Sequence, residues 1–268
     1  MTIRVAVVGA AGRMGATVCR AVLDAKGLEL VAAIDISKDG QSLDYAGGFP
    51  DSALVISGEL EAATRANADV LVDFTVAEAA VKTLRYGAAH GIHVVCGTTG
   101  IETSDFVAEF EPADRPNAIV CPNFAISAVL MTRLAEIAAP YFENAEIIEL
   151  HHDQKRDAPS GTALESARRI AEVRRLSGAG DFGADPTERE VLPGARGAHA
   201  EANVFVHSVR LRGLVAHQEI IFGALGQSLT IRQDSYDRTS FMPGVLLAIE
   251  RVASMPGLTV GLDRLLGA

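Results

Sequence analysis

No run of apolar residues in the chain comes near the roughly 20 needed to cross a bilayer as a helix, so no membrane association is expected. Cysteine is scarce. The three residues, Cys19, Cys96 and Cys121, are odd in number and have neither paired nor metal-ligand spacing, which predicts reduced thiols in a cytoplasmic protein and no metal site. Positive charge is in deficit, with 24 Lys and Arg against 34 Asp and Glu and a net charge of −10. That balance argues against a general nucleic-acid binder, which presents a basic face. An acidic protein can still bind a small anion where its cations converge. There is no low-complexity segment and no internal repeat, and nothing that reads as a signal or transit segment precedes the first apolar run. What remains is an ordinary globular composition, 49% hydrophobic and 22% charged, at a length that suits one large domain or two modest ones.

That first run, Ile3–Val8, leads straight into Gly9-Ala10-Ala11-Gly12-Arg13-Met14-Gly15, and helical spacing of Val18, Val22 and Leu23 follows in Ala16–Ala25. Strand, glycine turn and helix in this order are the setting of a dinucleotide fingerprint. Glycine lets backbone N–H groups approach a pyrophosphate at a helix N-terminus. The spacing is G-x-x-G-x-x-G, which a strand–helix turn needing only glycines also satisfies. The next strand, Leu28–Ile34, ends at Asp35, placed to accept hydrogen bonds from adenosine ribose hydroxyls. A carboxylate there opposes a 2′-phosphate and favours NADH; Lys38 nearby keeps NADPH open, and a solvated aspartate at a strand end is the alternative.

Further strands are predicted at Ala53–Ser57, Ala68–Phe74, Gly91–Cys96 and Asn117–Cys121, with a glycine-rich loop over Asp39–Asp51. A helix running to His90 is expected to start from a Thr75/Glu78 capping box, and a short one reaching Phe110 from a cap at Thr103 or Ser104. The turns Gly97-Thr98-Thr99-Gly100 and Pro122-Asn123-Phe124 lie at the carboxyl ends of strands, where a cofactor crevice is built. This alternation predicts an α/β fold with a Rossmann-like, doubly wound parallel sheet. After an apolar helix over Ala125–Tyr141 (Ile126, Leu130, Leu134, Ile137) and a long loop over Ser177–Ala202, the pattern changes. Asn203–Leu211, His217–Gly223 and Ser228–Gln233 read as strands without intervening helices, hence a second, α+β domain with a mixed or antiparallel sheet. The boundaries expected are 1–124 for the dinucleotide domain, 125–242 for a substrate-binding and oligomerisation domain, and a C-terminal helix, 243–268, returning to pack on the first.

Early in the second of these domains lies Glu149–Ala163, E-L-H-H-D-Q-K-R-D-A-P-S-G-T-A. A strand, Ala145–Glu149, enters it and a helix leaves it. His151, His152 and Lys155 offer cations or proton donors, and Gly161 and Thr162 offer N–H groups at a helix start. Together they suit a bound carboxylate with a proton delivered beside it. A metal reading of His151, His152 and Asp153 is weak, because adjacent strand residues face opposite ways. The competing reading is a solvated loop with clustered charge.

On V-V-G-A-A-G-R-M-G, D-F-T, G-T-T-G, P-N-F, S-Y-D-R-T-S-F-M-P-G and above all E-x-H-H-x-x-K-x-D-x-P-S-G-T-A, the chain resembles the dihydrodipicolinate reductases of lysine and diaminopimelate synthesis over nearly its whole length. The resemblance implies NADH- or NADPH-dependent reduction of 4-hydroxy-tetrahydrodipicolinate, through dihydrodipicolinate, to tetrahydrodipicolinate. It implies His151 as acid/base residue and Lys155 as proton donor, with His152, Ser160, Gly161 and Thr162 gripping the carboxylates of the substrate. It implies Gly9 to Met14 at the pyrophosphate and Asp35 at the ribose. Phe74, Gly97, Thr98, Thr99, Cys121, Pro122, Asn123 and Phe124 would line the nicotinamide side. A homotetramer is implied as well. The chain departs from the pattern at V-A-H-Q-E, where V-G-E-H is usual, and at Ile36, where a basic residue is usual. The rivals are another nicotinamide-dependent dehydrogenase and a nucleotide-sensing protein without turnover.

Overall fold

The computed structural model describes residues 2–43, 53–111 and 115–267. The elements follow in chain order as β1 (Ile3–Val8), α1 (Arg13–Asp24), β2 (Leu28–Ile34), α2 (Glu61–Arg65), β3 (Val70–Asp73), α3 (Ala77–His90), β4 (His93–Cys96), α4 (Val107–Phe110) and β5 (Ala118–Val120). Next come α5 (Ile126–Ala138), β6 (Asn144–His151), α6 (Gly161–Ser177), β7 (Ala198–His199), β8 (Phe205–Arg210), β9 (Ala216–Ala224) and β10 (Gln227–Ser235). The chain closes with α7 (Met242–Arg251) and β11 (Leu258–Val260). These elements form two compact units, one running to Phe124 and resuming at Phe241, the other Ala125–Ser240.

The first unit is built on a six-stranded sheet in the order β11-β5-β4-β3-β1-β2, parallel throughout. Its strands are short β-branched runs buried on both faces, as parallel strands covered by helices must be; Val5, Ala6, Val7, Leu71, Val72, Val94 and Val95 are fully enclosed. Sequence order reverses at β1, which has β2 on one side and β3 on the other. In such sheets ligands bind beyond the carboxyl ends of the strands at that point.

In the second unit β6 is the centre of a mixed sheet ordered β10-β9-β6-β8-β7, antiparallel to β9 and parallel to β8. Alternation along β6 puts Ala145, Ile147 and Glu149 on the buried face, with Met131 and Ala135 of α5 and Ala163, Ala167 and Ile170 of α6 in the same core. The segment between α6 and β7, expected as a loop, has little regular structure, and Arg174 anchors its start. That guanidinium donates to the carbonyls of Ala139, Phe142, Ala179, Gly180 and Asp181 and lies 3.9 Å from the centroid of the Phe182 ring.

Several local expectations are corrected. The Thr75/Glu78 capping box does not form: Val76 is the N-cap of α3 without a side-chain cap, and the Thr75 hydroxyl donates to Asp73 instead. Neither Thr103 nor Ser104 caps the next helical turn, because Ser104 donates to the Glu102 carboxylate. Ala53–Ser57 is not a strand but makes two isolated bridges, Val55 to Ser42 and Ser57 to Ile34; of the loop expected before it, residues 44–51 lie outside the described residues. The segment from 243 is not helical throughout. It contributes α7 and then β11, a parallel edge strand paired with β5. Helix α5 buries its small face, Ala128, Met131, Thr132, Ala135 and Ala138, and exposes Leu130, Leu134 and Ile137.

Candidate active site

In the first unit, a cavity of about 580 Å³ opens beyond the ends of β1, β2 and β3, lined among others by Gly9, Gly12, Asp35, Ile36, Leu60, Phe74, Thr75, Val76 and Lys82. The turn that floors it has no room for side chains. Gly9 has φ +80°, and a Cβ on Gly15 would stand 1.9 Å from the Gly9 carbonyl oxygen. The backbone of α1 therefore presses directly on the turn. Within it the N–H groups of Gly9 and Ala10 are spent on the Ile34 carbonyl and that of Gly12 on Gly9. The Ala11 N–H goes to Asp35 Oδ2. The donors without a turn of helix before them are those of Arg13, Met14 and Gly15 at the start of α1, which has no acidic residue in its first turn. Asp35 also accepts from the Ser37 N–H and hydroxyl on Oδ1. A carboxylate offers about four lone-pair sites, so it retains capacity for a ribose hydroxyl. The cradle, the apolar lining and the carboxylate fit a dinucleotide.

Asp73, which no motif in the sequence marks as a site residue, organises the other wall. It is completely buried, and among the described residues no cation pairs with it. Its Oδ1 accepts from the Thr75 N–H and hydroxyl and from the Thr98 hydroxyl, and its Oδ2 from Thr83 at 2.6 Å. Thr98 is thereby a structural member, accepting in turn from the Thr75 N–H, while Thr99 is exposed. Phe74 packs flat on Gly97, where a Cβ would lie 2.1 Å from the ring, and against Phe124 at 5.7 Å between centroids. Cys121 is buried with its thiol pointed at the Asn123 carbonyl, and burial pushes that thiol up to about 12, so it holds the Pro122–Phe124 turn as an inert S–H.

In the second unit, Glu149 sits on the inward face of β6 with none of its surface exposed. Arg210, its neighbour from β8, embraces it in a fork, Nη1 to Oε2 and Nη2 to Oε1, each at 2.8 Å. His151 Nδ1 lies 2.5 Å from Oε2, and the Ser160 N–H donates to Oε1 at 3.1 Å. Burial alone raises a carboxyl's pKa. Here the hydrogen bonds from Arg210, Ser208 and His151 outweigh it and hold Glu149 below the usual carboxylate range. His151 is lowered from the ordinary imidazole value, chiefly by desolvation, with the Glu149 contact opposing and Lys155 and Arg210 reinforcing the shift. Neutral His151 therefore carries its proton on Nδ1 toward the carboxylate and keeps a lone pair on Nε2.

The remaining expected residues follow within a few positions. His152 is exposed, with Nδ1 accepting from the Gln154 N–H. Lys155 Nζ reaches both oxygens of Asp157 at 2.8 and 2.7 Å, and this contact holds Asp157 below the usual carboxylate range. Arg210 Nη2 fixes the same loop through the Asp157 carbonyl. Ser160 is the N-cap of α6, its hydroxyl accepting from the Ala163 N–H. Gly161 and Thr162 form the first turn, which contains no acidic residue. The structure thus brings His151, Lys155 and the α6 start onto one framework. Glu149 and Arg210 were missed as members. The one available signal was an arginine on the inward face of an alternating strand.

Removing the cation from this pair leaves a buried carboxylate uncompensated, at a cost of about 3 kcal/mol. Arg210→Met is expected to lose about that much stability at neutral pH in urea titrations. Because Glu149 titrates lower in the folded chain, its contribution is present above the unfolded carboxyl range and lost as pH falls through the folded value. The gap between variant and native chain should therefore narrow in acid.

The comparisons with known proteins agree over the full length. The family model for the N-terminus of dihydrodipicolinate reductase matches residues 3–124, and that for the C-terminus matches 127–266. The 4-hydroxy-tetrahydrodipicolinate reductase of Corynebacterium aurimucosum is 49% identical over 271 residues, covering all of both chains. That of Cutibacterium acnes is 49% identical over 99% of each. Among solved structures, a dipicolinate-bound dihydrodipicolinate reductase from Paenisporosarcina sp. TG-14 superposes with a TM-score of 0.86 at 41% identity, covering 98% of this chain and 99% of that one. An amine dehydrogenase from Mycobacterium smegmatis, 16% identical with a TM-score of 0.66, shares the fold. The chain belongs to the dihydrodipicolinate reductase family, and it is a pyridine-nucleotide-dependent oxidoreductase that reduces 4-hydroxy-tetrahydrodipicolinate in lysine and diaminopimelate synthesis.

Proposed function

We propose that the stretch from His151 to Thr162 carries the chemical step, His151 and Lys155 handling protons while His152, Ser160, Gly161 and Thr162 hold the substrate carboxylates. The observation behind this reading is that an acid–base histidine and the N-terminus of a 17-residue helix rest on one framework within a dozen positions. The helix start offers N–H groups and a positive dipole end to an anion. The substrate that suits them is the cyclic imine dicarboxylate, dihydrodipicolinate, formed when the hydroxy compound loses water. The nicotinamide, when bound, supplies hydride to C4 of that ring. Electron density then moves through the ring toward its nitrogen, leaving an enamine-like anion. Lys155, assisted by His151, delivers the proton to C3 that completes the saturation. The cations around the carboxylates stabilise the charge that grows on the way.

We assign residues up to 124, with the closing segment from 243, as the dinucleotide domain and 125–242 as the substrate and oligomerisation domain. Cofactor contacts are assigned to Gly9 through Met14, Asp35, Phe74, Gly97, Thr98, Thr99 and Cys121 through Phe124. The hydroxyl of Thr98 is already committed to Asp73, so its contact is through backbone. Lys155→Ala is expected to lower turnover on the order of 100-fold, the low end for losing a general acid, with nucleotide affinity unchanged in a fluorescence titration. Near-normal turnover in that variant, or no NADH oxidation with enzymatically generated hydroxy-tetrahydrodipicolinate, would refute the reading.

NADH is the preferred donor in this proposal and NADPH a second one. Asp35 opposes a 2′-phosphate, exposed Ile36 offers it nothing, and Lys38 two residues on softens the preference. Ile36→Arg is expected to shift the kcat/KM ratio toward NADPH about tenfold, the worth of one good charge-assisted contact. Native kinetics that favour NADPH would overturn the assignment.

The protein is proposed to work in the cytoplasm, consistent with Cys19, Cys96 and Cys121 all being free and buried, and as a homotetramer. The sheet face opposite α5 and α6 leaves Ile148, Leu150, Val209 and Ile221 only partly covered, apolar area that copies of the chain would bury. Light scattering should return four chain masses; a monomer would refute this.

A further inference from the structure

We propose that the Glu149–Arg210 ion pair is the positioning device of the reductive site: one buried carboxylate sets the tautomer of His151 and, with its arginine, fixes the start of α6 and the Lys155 loop. This rests on the assignment of His151 and Lys155 made above.

The geometry is economical. Glu149 has two oxygens, and each serves both the arginine and one functional element. Oε2 takes Arg210 Nη1 and His151 Nδ1; Oε1 takes Arg210 Nη2 and the Ser160 N–H. Arg210 spends a further N–H on the Asp157 carbonyl at 2.6 Å, and the Asp157 carboxylate holds Lys155. Three parts of the site, one on a strand end, one in a loop and one at a helix start, are thus referred to a single ion pair with no exposed carboxylate surface.

Ionised Glu149 can only accept hydrogen bonds, so it forces the proton of neutral His151 onto Nδ1 and assigns Nε2 to the substrate side of the proton transfer. A glutamine would offer both an acceptor oxygen and a donor nitrogen and would leave the tautomer undefined. The charged groups that bear on His151 are Glu149 from its own strand, Lys155 from the following loop and Arg210 from β8. Of these only Glu149 favours protonation. Removing its charge leaves two cations, so the ring should titrate at lower pH. A merely structural role for Glu149 would leave the Nδ1–H tautomer where it is.

The test is Glu149→Gln in the full-length enzyme. Turnover is expected to fall on the order of 100-fold, the scale of misplacing a general acid or base, with NADH affinity unchanged. The His151 ring, followed by selective isotope labelling and NMR, should titrate at lower pH and lose its pure Nδ1–H signature. Native turnover with an unshifted His151 titration would overturn the proposal. Should Glu149→Gln fail to fold, Arg210→Lys keeps the charge but not the fork. It is expected to lower turnover about tenfold with a His151 titration close to native, and unaltered turnover there would overturn the proposal equally. His151→Gln separates the two levels. If it retains turnover, the underlying site assignment fails; if it is inactive while Glu149→Gln is normal, only the positioning role fails.

Discussion

A carboxylate with no exposed surface is among the costlier things a protein can bury, and Glu149 is tolerable only because Arg210 meets both its oxygens at once. The register makes this possible. Glu149 and Arg210 are not direct cross-strand partners: Glu149 pairs with Ser208 and His151 with Arg210 along the parallel β6–β8 ladder. The arginine therefore rises one pleat beyond the glutamate, on the same face, and its long side chain reaches back. That offset leaves Oε2 open to the histidine above and Oε1 to the backbone of the Pro159–Ser160 turn. Had the two residues been opposite one another, the fork would still form but would not lie across the strand end where the functional residues are.

The first unit meets the same problem by other means. Asp73 is as deeply enclosed as Glu149, yet its partners are three threonine hydroxyls and a backbone N–H, all neutral. It ties the end of β3 to the end of β4 and to α3, and so sets the Phe74 ring against Gly97. The contrast follows from what each unit is proposed to hold. The nicotinamide side needs a rigid wall, and the pyrophosphate a helix start that offers backbone donors. A dicarboxylate needs cations, and the ion pair supplies a fixed frame for them.

The fold was largely readable because its signals are local. Short β-branched runs ending in glycine or threonine, each followed by helical spacing, specify parallel strands and their crossovers residue by residue, and nine of the eleven strands overlap segments expected from the sequence, the exceptions being the two-residue β7 and the closing β11. β11 is only Leu258–Val260, too short for a pattern, and exists because β5 offers it an edge. The missed caps have one cause. Thr75 and Ser104 each sit near a carboxylate that competes for the hydroxyl, and a competitor two residues away is not weighed by a capping rule. Helix α5 shows a subtler limit. Its hydrophobic period is correct, but the face that packs is the one with small residues, and side-chain volume at the sheet is a tertiary property.

For the site, the sequence carries reactive side chains but not the members that make them converge. His151, Lys155 and the Ser-Gly-Thr turn announce themselves by type and spacing. Arg210 lies some 60 positions away from them, and nothing local separates it from the exposed Arg212 two residues on, which reaches Asp153. What separates them is the strand end: Arg210 is the last residue of β8, on its inward face with Val206 and Ser208, whereas Arg212 lies past that end, largely in solvent. A single-residue slip of β8 against β6 would put Val209 or Leu211 at the inward position instead. It would send Arg210 outward, leave Glu149 buried and uncompensated, and release His151 and Ser160 together. The penalty for that slip is carried by the same ion pair that frames the site, so correct registration of the second sheet and assembly of the proposed chemistry are one event in this fold.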